Sequence, residues 1–484
     1  DVIYIDPPYN TGAKDWKYNN DYVDKNDMYR HSKWLSFINK RLRLAKRLLS
    51  RKGVLVCTVD DNEFTKLGLL LEEIFPSHQI TCVTIVHNPA GIQGDNFSYC
   101  HEYAYFVYPK GGRYIAPQVR EENDSDVRNF RDVTGEESLR GAAANCFYPI
   151  YIKKGKIIGF GPVSDKNYHP STNVLKKNGV IEIYPVDPKG IERKWRFARQ
   201  TVESIKNELQ VKHIKNRKIF DIIRSKNIFN YKTVWTDSKY SANNHGTQLL
   251  NQIIERGAFS FPKSLYAVMD CIKAASNDNK NAVILDFFAG SGTTGHAVLK
   301  LNEDGGARQF IICTNNEDNN GNGTKIARDI CYPRIKKVMQ GYTTKNGEGI
   351  KGLGGNLKYF TTEFVSNVKT DNDKRIFTSL CSEMLCLAEA TFDEVANKKG
   401  LFAIYENQRQ MTGIIFDEDA IPDFKKETKK HKKPIVVYVF SYDHTYNEED
   451  FENLENLKVV KPIPEVILNV YRKIYKELYK PRNL

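Results

Sequence analysis

The tetrapeptide Asp6-Pro7-Pro8-Tyr9 is the part of the sequence whose residue types most directly suggest chemistry. It follows the strand-like run 2–5, and open α/β sheets bind ligands at the carboxyl ends of their strands. The two prolines lack N–H donors, so their carbonyls remain as acceptors beside a carboxylate and an aromatic ring. This corner suits a planar group with an amine, such as a nucleobase, although the same residues also form ordinary turns.

A second candidate site is the glycine-rich segment 286–295, which follows an apolar strand and opens a helix. Gly290, Gly292 and Gly295 satisfy the pattern G-x-G-x-x-G. Glycines at this spacing let a ligand approach the backbone close to the free N–H groups of a helix N-terminus. The pattern alone is weak, and it is shared by dinucleotide-binding proteins.

The residues around these glycines favour a cationic cofactor over a dinucleotide. Asp286 precedes the glycines and places a carboxylate where a pyrophosphate would lie. The ammonium group of a methionine moiety can pair with that carboxylate. Glu317 or Asn315, after the next strand, can bind the ribose hydroxyls.

Both candidate sites need strands that end at the same edge of one sheet. Apolar runs and helical spacing predict strands at residues 2–5, 54–59, 80–86, 103–107, 282–285 and 310–313, and helices at 34–49, 64–75, 295–301 and 325–339. This alternation is typical of a buried, mostly parallel sheet. We therefore expect an α/β fold.

The regular alternation of strands and helices is absent from the chain between and after these segments. Residues 111–240 are less regular, with predicted short strands at 181–186 and 231–234 and a short helix at 202–211. Residues 346–370 form a glycine-rich linker, predicted to be a loop. Residues 371–484 form an α+β domain, with helices at 378–390 and 465–479 and a strand at 434–440. The regular α/β segments are thus residues 1–110 and 241–345.

The positive charge is concentrated in one part of the chain. The 484 residues carry a net charge of +13. Residues 151–240 contain 20 Lys and Arg against 8 Asp and Glu, whereas residues 371–484 contain 18 against 20. A focused surplus of this kind predicts a polyanionic partner.

Composition limits the protein class in other ways. No apolar run reaches the length of a membrane span, so we predict no membrane association. The nine cysteines show no CxxC spacing, which favours buried free thiols in a reducing compartment, and no metal site is predicted. Because the chain starts at Asp1, directly before a strand, we expect further sequence upstream.

Together these segments resemble the adenine-N6 DNA methyltransferases of the β class. In that family the catalytic strand precedes the target-recognition region, which precedes the cofactor loop. The matching segments are DPPYNTG at 6–12, WLSF at 34–37 with Arg41 and Leu42, GVLVCTVDDNE at 53–63, HEY at 101–103, WTDSKY at 235–240, GT at 246–247 and FPK at 261–263. Ser264 stands where the family often has a second proline. Over about residues 1–365, the likeness is to modification (Mod) subunits of Type III restriction–modification systems.

The resemblance implies a Rossmann-like sheet of an S-adenosylmethionine-dependent methyltransferase, with circularly permuted motif order, an inserted target-recognition domain and an α+β C-terminal domain. Residues 1–110 would be the catalytic half, 111–240 the target-recognition region, 241–345 the cofactor half, and 371–484 a domain for dimerisation or partner docking. The cofactor, S-adenosyl-L-methionine, would be bound by Asp286, Phe288, Gly290, Gly292, Thr293, Phe261, Pro262, Lys263 and Glu317.

The resemblance also implies a mechanism for adenine-N6 methylation. Asp6 and the Pro7 carbonyl would accept the two amino hydrogens of a flipped adenine, freeing the nitrogen lone pair, while Pro8 completes the motif and Tyr9 stacks on the base. An aspartate at the first position favours adenine over cytosine.

Residues of the basic region are predicted to hold double-stranded DNA, mainly through phosphates. The candidates are Arg193, Lys194, Arg196, Arg199, Lys212, Lys215, Arg217 and Lys218. We further expect a homodimer, a restriction subunit as a partner, and a location in the cytoplasm of a bacterium, encoded by the host or a phage and associated with the nucleoid.

Three alternatives remain at this stage. The protein could be a DNA-binding specificity subunit that targets a nuclease without methylating, a cytosine-N4 methyltransferase, or an NAD-dependent enzyme. The first would not require an intact Asp6, Tyr9 and Asp286, and the last leaves the basic region unexplained.

Overall fold

The computed structural model describes residues 1–18, 21–119, 126–254, 257, 259–316, 323–362, 370–442, 445–465, 467–470 and 472. The chain forms two compact units. One comprises Asp1–His31 and Leu49–Gly355, and the other comprises Ser32–Leu48 and Asn356–Leu484. Because Ser32–Leu48 belongs to the second unit, the units do not follow chain order. The functional domain boundaries given above stay predictions.

The first unit is built on a seven-stranded sheet. Its strands are β1 (Val2–Ile5), β2 (Val54–Val59), β3 (His78–Val86), β4 (His101–Pro109), β5 (Val234–Trp235), β6 (Val283–Asp286) and β7 (Gln309–Ile312). Their order across the sheet is β5-β3-β4-β2-β1-β6-β7. Every residue of β1 and β2 is buried, as expected for central strands covered on both faces.

Six of the seven strands run in the same direction. Strand β1 pairs in parallel with β2 and β6, β6 with β7, and β3 with β5. Only β4 is antiparallel to its neighbours; it follows β3 after the connection formed by residues 87–100. The sheet is mostly parallel, as predicted, and its common carboxyl edge brings the ends of β1, β2 and β6 side by side.

The helices follow the apolar spacing of the sequence. They are α1 (Arg30–Leu48), α2 (Phe64–Ile74), α3 (Leu249–Ile253), α4 (Leu265–Ala275), α5 (Thr293–Leu301) and α6 (Tyr332–Gln340), where α1 continues from the first unit into the second. In α2 the buried residues Leu67, Leu70, Leu71 and Ile74 form one face. Wider π-helical turns, Asn243–Gln248 and Ile326–Cys331, precede α3 and α6.

The region between β4 and β5 contains two small antiparallel sheets. One consists of Asp126–Asn129, Ile219–Lys226 and Leu209–Ile214, and the other of Lys156–Phe160, Ile150–Lys153, Ile181–Ile183 and Asn173–Leu175. They share a core that includes the fully buried Phe130 and Trp195. The predicted helix at 202–211 is wrong in its second part: a 3-10 helix ends at Glu208, and Leu209–Ile214 pairs with Ile219–Lys226 instead.

Short two-stranded pairs complete the first unit. They are Ala13–Tyr18 with Asp21–Asp24, Ile92–Gln93 with Ser98–Tyr99, Gln118–Val119 with Ile228–Phe229, and Gly341–Thr343 with Gly349–Lys351. The last pair corrects the prediction of a loop at the start of the glycine-rich linker. Its residues Gly347 and Gly341 adopt positive φ angles of 83° and 93°, which lets the chain turn back on itself.

The second unit contains a five-stranded mixed sheet. Its strands, in spatial order, are β8 (Asp393–Lys398), β9 (Phe402–Glu406), β10 (Met411–Ile415), β11 (Ile435–Phe440) and β12 (Leu457–Ile463), and its further helices are α7 (Asp371–Ser379), α8 (Ser382–Glu389) and α9 (Ile421–Thr428). Residues of α7 and α8 pack on one face of the sheet and residues of α9 on the other. The predicted helix 378–390 is thus two helices, and most of the predicted helix 465–479 lies outside the described residues.

Two composition-based expectations can be compared with the structure. Six of the nine cysteines are buried, all nine are unpaired, and Cys313 is exposed. Within the described ranges, every helix is too short or too polar to cross a bilayer.

Candidate active site

The Asp6-Pro7-Pro8-Tyr9 segment leaves the carboxyl end of β1 and is held there by the neighbouring strand. Thr58 on β2 donates a hydrogen bond of 2.6 Å from its Oγ1 to Asp6 Oδ1. The side chain of Asp6 remains 27% exposed. Among the described residues no hydrogen bond reaches its Oδ2. This oxygen can therefore accept a hydrogen bond from a ligand.

Lys263 brings a positive charge into the same corner. Its Nζ lies 3.3 Å from Asp6 Oδ1, forms a closer ion pair with Glu102, and donates to the hydroxyl of Tyr9. Glu102, almost fully buried on β4, also accepts a hydrogen bond of 3.2 Å from the Tyr9 hydroxyl. The corner is therefore a compact cluster of two carboxylates, one ammonium group and one phenol.

The electrostatics of this cluster define which groups donate and which accept. Burial raises the pKa of Tyr9 well above its usual value, and Asp6 and Glu102 raise it further, so the phenol stays protonated. Burial alone would lower the pKa of Lys263, but Asp6 and Glu102 outweigh this and raise it. Lys263 is thus a lasting cation at neutral pH.

A buried polar network lies directly behind Tyr9. Asn10 is fully buried, has a φ of 59°, and donates a hydrogen bond of 2.5 Å from Nδ2 to Glu63 Oε1. The Glu63 carboxylate is fully buried and also pairs with His31 Nδ1. A left-handed conformation at a non-glycine residue needs such support, so this network fixes the direction in which the chain leaves Tyr9.

The glycine-rich segment lies beside this corner, at the end of the adjacent strand β6. Asp286 is 2% exposed and accepts hydrogen bonds from the Phe288 backbone N–H at 2.8 Å and from Thr294 Oγ1 at 2.5 Å. Burial raises its pKa to about 7, and the nearby charge of Asp6 contributes to the increase. A buried carboxyl with so high a pKa would be stabilised in its charged form by a cation.

The glycines shape a loop that leads into helix α5. Gly290 and Gly292 have φ angles of 48° and 81°, and a Cβ on Gly292 would lie 3.0 Å from Cys331 Sγ. The buried Arg334 on α6 supports the loop, since its Nη1 donates to Ser291 Oγ at 2.9 Å and Thr293 Oγ1 at 2.8 Å. The loop therefore has a supported backbone where it enters α5.

The third predicted segment, residues 261–263, has its residues in different environments. Phe261 has a φ of 56° and is 91% exposed, whereas Pro262 is buried. Gly246 packs so closely beneath the segment that a Cβ would lie 2.3 Å from the Pro262 carbonyl oxygen. Lys263 contacts Asp6 and Glu102, as described above, so it lies beside the Asp6-Pro7-Pro8-Tyr9 segment. Its predicted role in binding the cofactor stays a prediction.

Two predicted site residues have side chains outside the described part of the chain. Glu317 falls within residues 317–322, and the side chain of Arg217 is likewise not described. Phe288 is half-buried and lies against Phe287, and Thr293 is buried where it accepts from Arg334.

The predicted DNA-binding residues at 193–199 are largely engaged within the protein. Arg193 bonds to Asp187 and Ser138, and Arg199 donates to the carbonyl oxygens of Gly161 and Phe160. Arg196 is more exposed but donates to the Asn129 carbonyl. Lys194 is half-buried. These guanidinium groups stabilise the inserted sheets.

The second predicted cluster lies on a hairpin. Lys212 is exposed on strand Leu209–Ile214, and Lys215 and Lys218 are exposed in the turn that follows it. These three lysines are therefore better placed than the arginines at 193–199 to contact a polyanion.

Several residues of the site were not given a role from the sequence. They are Thr58, Glu102, Asn10, Glu63, His31, Gly246 and Arg334. The sequence pattern indicates a role for some of them. Glu102, for example, lies in an otherwise apolar strand, and a glutamate in such a strand is rarely buried without a partner. The remaining contacts join parts of the chain that are distant in sequence.

The chain has known relatives among DNA methylases. Residues 1–319 match the model of a family, N6_N4_Mtase, described as DNA methylase. The Type II methyltransferase M.KpnI of Klebsiella pneumoniae is 31% identical over 340 residues, which cover 65% of this chain and 75% of that protein. The Mod subunit of the Type III restriction–modification enzyme EcoPI, from Escherichia phage P1, is 28% identical over 76% of this chain. The StyLTI Mod subunit of Salmonella typhimurium is 29% identical over 71% of it.

The chain spans 63% of the EcoPI Mod subunit and 53% of the StyLTI Mod subunit. A solved structure of TTHA0409 from Thermus thermophilus with S-adenosyl-L-methionine covers 74% of this chain and 91% of its own, at 13% identity and a TM-score of 0.31. The predicted resemblance to Mod subunits is confirmed by the sequence matches, and the chain belongs to the DNA methylase family.

Proposed function

We propose that the protein is a site-specific DNA methyltransferase that transfers a methyl group from S-adenosyl-L-methionine to N6 of a flipped-out adenine. One observation carries the proposal: the Asp6 corner and the Asp286 glycine loop end adjacent parallel strands, β1 and β6, at one edge of the sheet. An amine-binding site and a cation-binding site are thus neighbours, as methyl transfer between an amine and a sulfonium compound requires.

The residues around Asp286 fit a cationic cofactor with a sugar and a base. The buried carboxyl of Asp286, whose pKa is raised to about 7, favours an ammonium partner. Glycines before the N-terminus of α5 carry no side chains that would keep a ligand from the backbone. Asp286, Phe288, Gly290, Gly292 and Thr293 would hold the cofactor. When bound, S-adenosyl-L-methionine supplies a methyl group that is activated by the sulfonium charge.

The chain's own contribution is to orient the target amine and to receive its proton. Asp6 Oδ2 and the Pro7 carbonyl accept the two N–H bonds, which directs the nitrogen lone pair away from the base plane. Thr58 and Lys263 hold the Asp6 side chain in place through its Oδ1. As the new N–C bond forms, the bond between the methyl group and the sulfonium sulfur breaks and leaves a neutral thioether. N6 loses one proton, and Asp6 accepts it or passes it to water. Tyr9 supplies the ring on which the base stacks.

The packing of Gly246 gives a prediction about Lys263. In Gly246→Ala the added Cβ would collide with the Pro262 carbonyl and displace Lys263 from the corner. We expect kcat to fall about ten- to hundredfold, because small displacements of catalytic geometry have effects of this size. Steady-state methylation of DNA measures it. As a control, Gly349→Ala, which would meet nothing within 4 Å, should retain its activity. Equal activity of both variants would show that the close packing of Gly246 against Pro262 is not needed to position Lys263 for catalysis.

We propose that double-stranded DNA is bound in part by the exposed lysines of the hairpin formed by Leu209–Ile214 and Ile219–Lys226. A protein that contacts fewer phosphates shows a weaker dependence of affinity on salt. Replacing Lys212, Lys215 and Lys218 by Ala should lower the slope of log affinity against log salt by about 3. Fluorescence anisotropy at several salt concentrations measures the slope. The same substitution at Lys426, Lys429 and Lys432, in the acidic C-terminal domain, serves as the control; an unchanged slope in the hairpin variant would contradict the proposal.

We infer a circularly permuted motif order, a target-recognition role for residues 111–240, and a role in dimerisation or partner docking for residues 371–484. The likeness to Mod subunits supports a restriction subunit as a partner. It also supports a location with DNA in the bacterial cytoplasm.

Modification-aware sequencing of DNA from cells with and without the protein tests the proposed function. We expect N6-methyladenine at one fixed sequence, present only with the protein. N4-methylcytosine at a fixed sequence would favour the cytosine alternative, and no modification would favour a binding subunit without methyl transfer.

A further inference from the structure

We propose that Lys263 and Asp6 together read the base-pairing edge of the target, with Lys263 donating to the ring nitrogen N1 of adenine while Asp6 accepts from the N6 amine. The inference rests on the proposed function and adds a specificity-determining residue to it. A cation and an anion side by side form one donor and one acceptor, which is a pattern that a base edge can match.

The geometry of the corner carries this assignment. Lys263 Nζ lies 3.3 Å from Asp6 Oδ1 and contacts the Tyr9 hydroxyl. It also lies 4.4 Å from the centroid of the Tyr9 ring. A base stacked on Tyr9 with its amine at Asp6 would therefore present the neighbouring ring atom to the ammonium group.

Glu102 makes Lys263 a fixed donor. Its carboxylate is almost fully buried, pairs with Lys263 and accepts from Tyr9. An ammonium has three N–H bonds, and here they reach Asp6, Glu102 and Tyr9. An incoming base can replace the contact to Tyr9, because the phenol keeps its own hydrogen bond to Glu102. The ammonium then stays anchored while one N–H bond turns to the base.

The donor–acceptor pair discriminates among the four bases. Adenine and cytosine present an amine beside a ring nitrogen that accepts, which matches Asp6 and Lys263 in order. Thymine and guanine present a carbonyl oxygen beside a ring N–H, so the carboxylate would face an acceptor and the ammonium a donor. Such mismatches in a buried site reject a substrate more strongly than the loss of an apolar contact.

Base analogues test the assignment on the unaltered protein. Duplexes carry the recognition sequence with the target adenine, 7-deazaadenine, or 1-deazaadenine, in which a C–H replaces N1 but the amine remains. We expect single-turnover methyl transfer to be about ten- to a hundredfold slower with 1-deazaadenine than with adenine, because a hydrogen bond to a charged group is lost. With 7-deazaadenine the rate should be close to that with adenine.

The variant Lys263→Met separates the contact from the intrinsic reactivity of the analogue. It should methylate adenine more slowly and lose the distinction between adenine and 1-deazaadenine. Lys52→Met removes one exposed lysine before β2, at the opposite edge of the sheet, and should keep the wild-type ratio. Equal rates on adenine and 1-deazaadenine for the unaltered protein, or the same ratio in Lys263→Met, would overturn the inference. Failure to methylate adenine at all would instead contradict the proposed function.

Discussion

Replacement of Asp6 by Ala is expected to lower the rate of methyl transfer by about 1000-fold, because a preorganised polar group at the reacting atom contributes an effect of this order. The substitution removes the acceptor for the target amine and the partner of Thr58 and Lys263. Binding of S-adenosyl-L-methionine should change little, since Asp286 and the glycine loop are intact. Single-turnover transfer of a labelled methyl group measures the rate, and calorimetry measures the binding.

The control for this variant is Asp61→Ala. Asp61 is an exposed carboxylate that follows β2 at the same edge of the sheet, and it accepts a hydrogen bond from Tyr103. Its removal changes the charge near the site but not the amine contacts, so the rate should stay within a few-fold of the wild type. A wild-type rate in Asp6→Ala would show that the corner is not the catalytic site.

Replacement of Asp286 by Asn is expected to weaken cofactor binding by about 30-fold or more, because removing one partner of a buried charge pair costs about 2–5 kcal/mol. Asn keeps the shape: its single oxygen can accept from the Phe288 N–H, and its Nδ2 can donate to Thr294 Oγ1. Calorimetric titration with S-adenosyl-L-methionine measures the affinity. Asp304→Asn, a carboxylate before β7 that pairs with Arg308, should bind the cofactor normally; unchanged affinity in Asp286→Asn would exclude an ammonium partner at Asp286.

The raised pKa of Asp286 predicts that the affinity for the cofactor depends on pH. Below its pKa of about 7 the carboxyl takes up a proton and no longer attracts an ammonium group. Affinity should therefore fall by about tenfold as the pH drops from 8 to 6, which corresponds to loss of most of the ionised form. In Asp286→Asn the change in cofactor affinity that comes from titration of Asp286 should be absent. Comparing the affinities of the two proteins across this pH range therefore isolates the contribution of Asp286.

The central sheet and both motifs could be predicted because they are local in sequence. Strands such as β1 and β2 are continuous apolar runs, and each ends directly in polar residues. The loop at the end of β6 can be recognised in the sequence because it is rich in glycine, the residue that most readily adopts a positive φ. In these segments the chemistry and the secondary structure are encoded within about ten residues, so spacing alone is informative.

The contacts that complete the site could not be predicted because they depend on tertiary structure. Lys263 reaches Tyr9 across 254 positions of sequence, and Glu63 reaches Asn10 across 53. Composition also could not show that Arg193 bonds to Asp187 or that Arg199 donates to the Gly161 carbonyl, and the DNA-binding role of both arginines stays a prediction. The strand Leu209–Ile214 has apolar spacing that also suits a helix, and only its pairing with Ile219–Lys226 decides between the two.

The most direct test of the central claim is to identify the methylated nucleoside. The protein is incubated with labelled S-adenosyl-L-methionine and duplex DNA that contains the recognition sequence, and the DNA is digested to nucleosides and separated by chromatography with mass detection. The label should appear in N6-methyldeoxyadenosine with the wild type and be lost with Asp6→Ala. Label in N4-methyldeoxycytidine, or label in N6-methyldeoxyadenosine that persists at the wild-type rate in Asp6→Ala, would contradict the account.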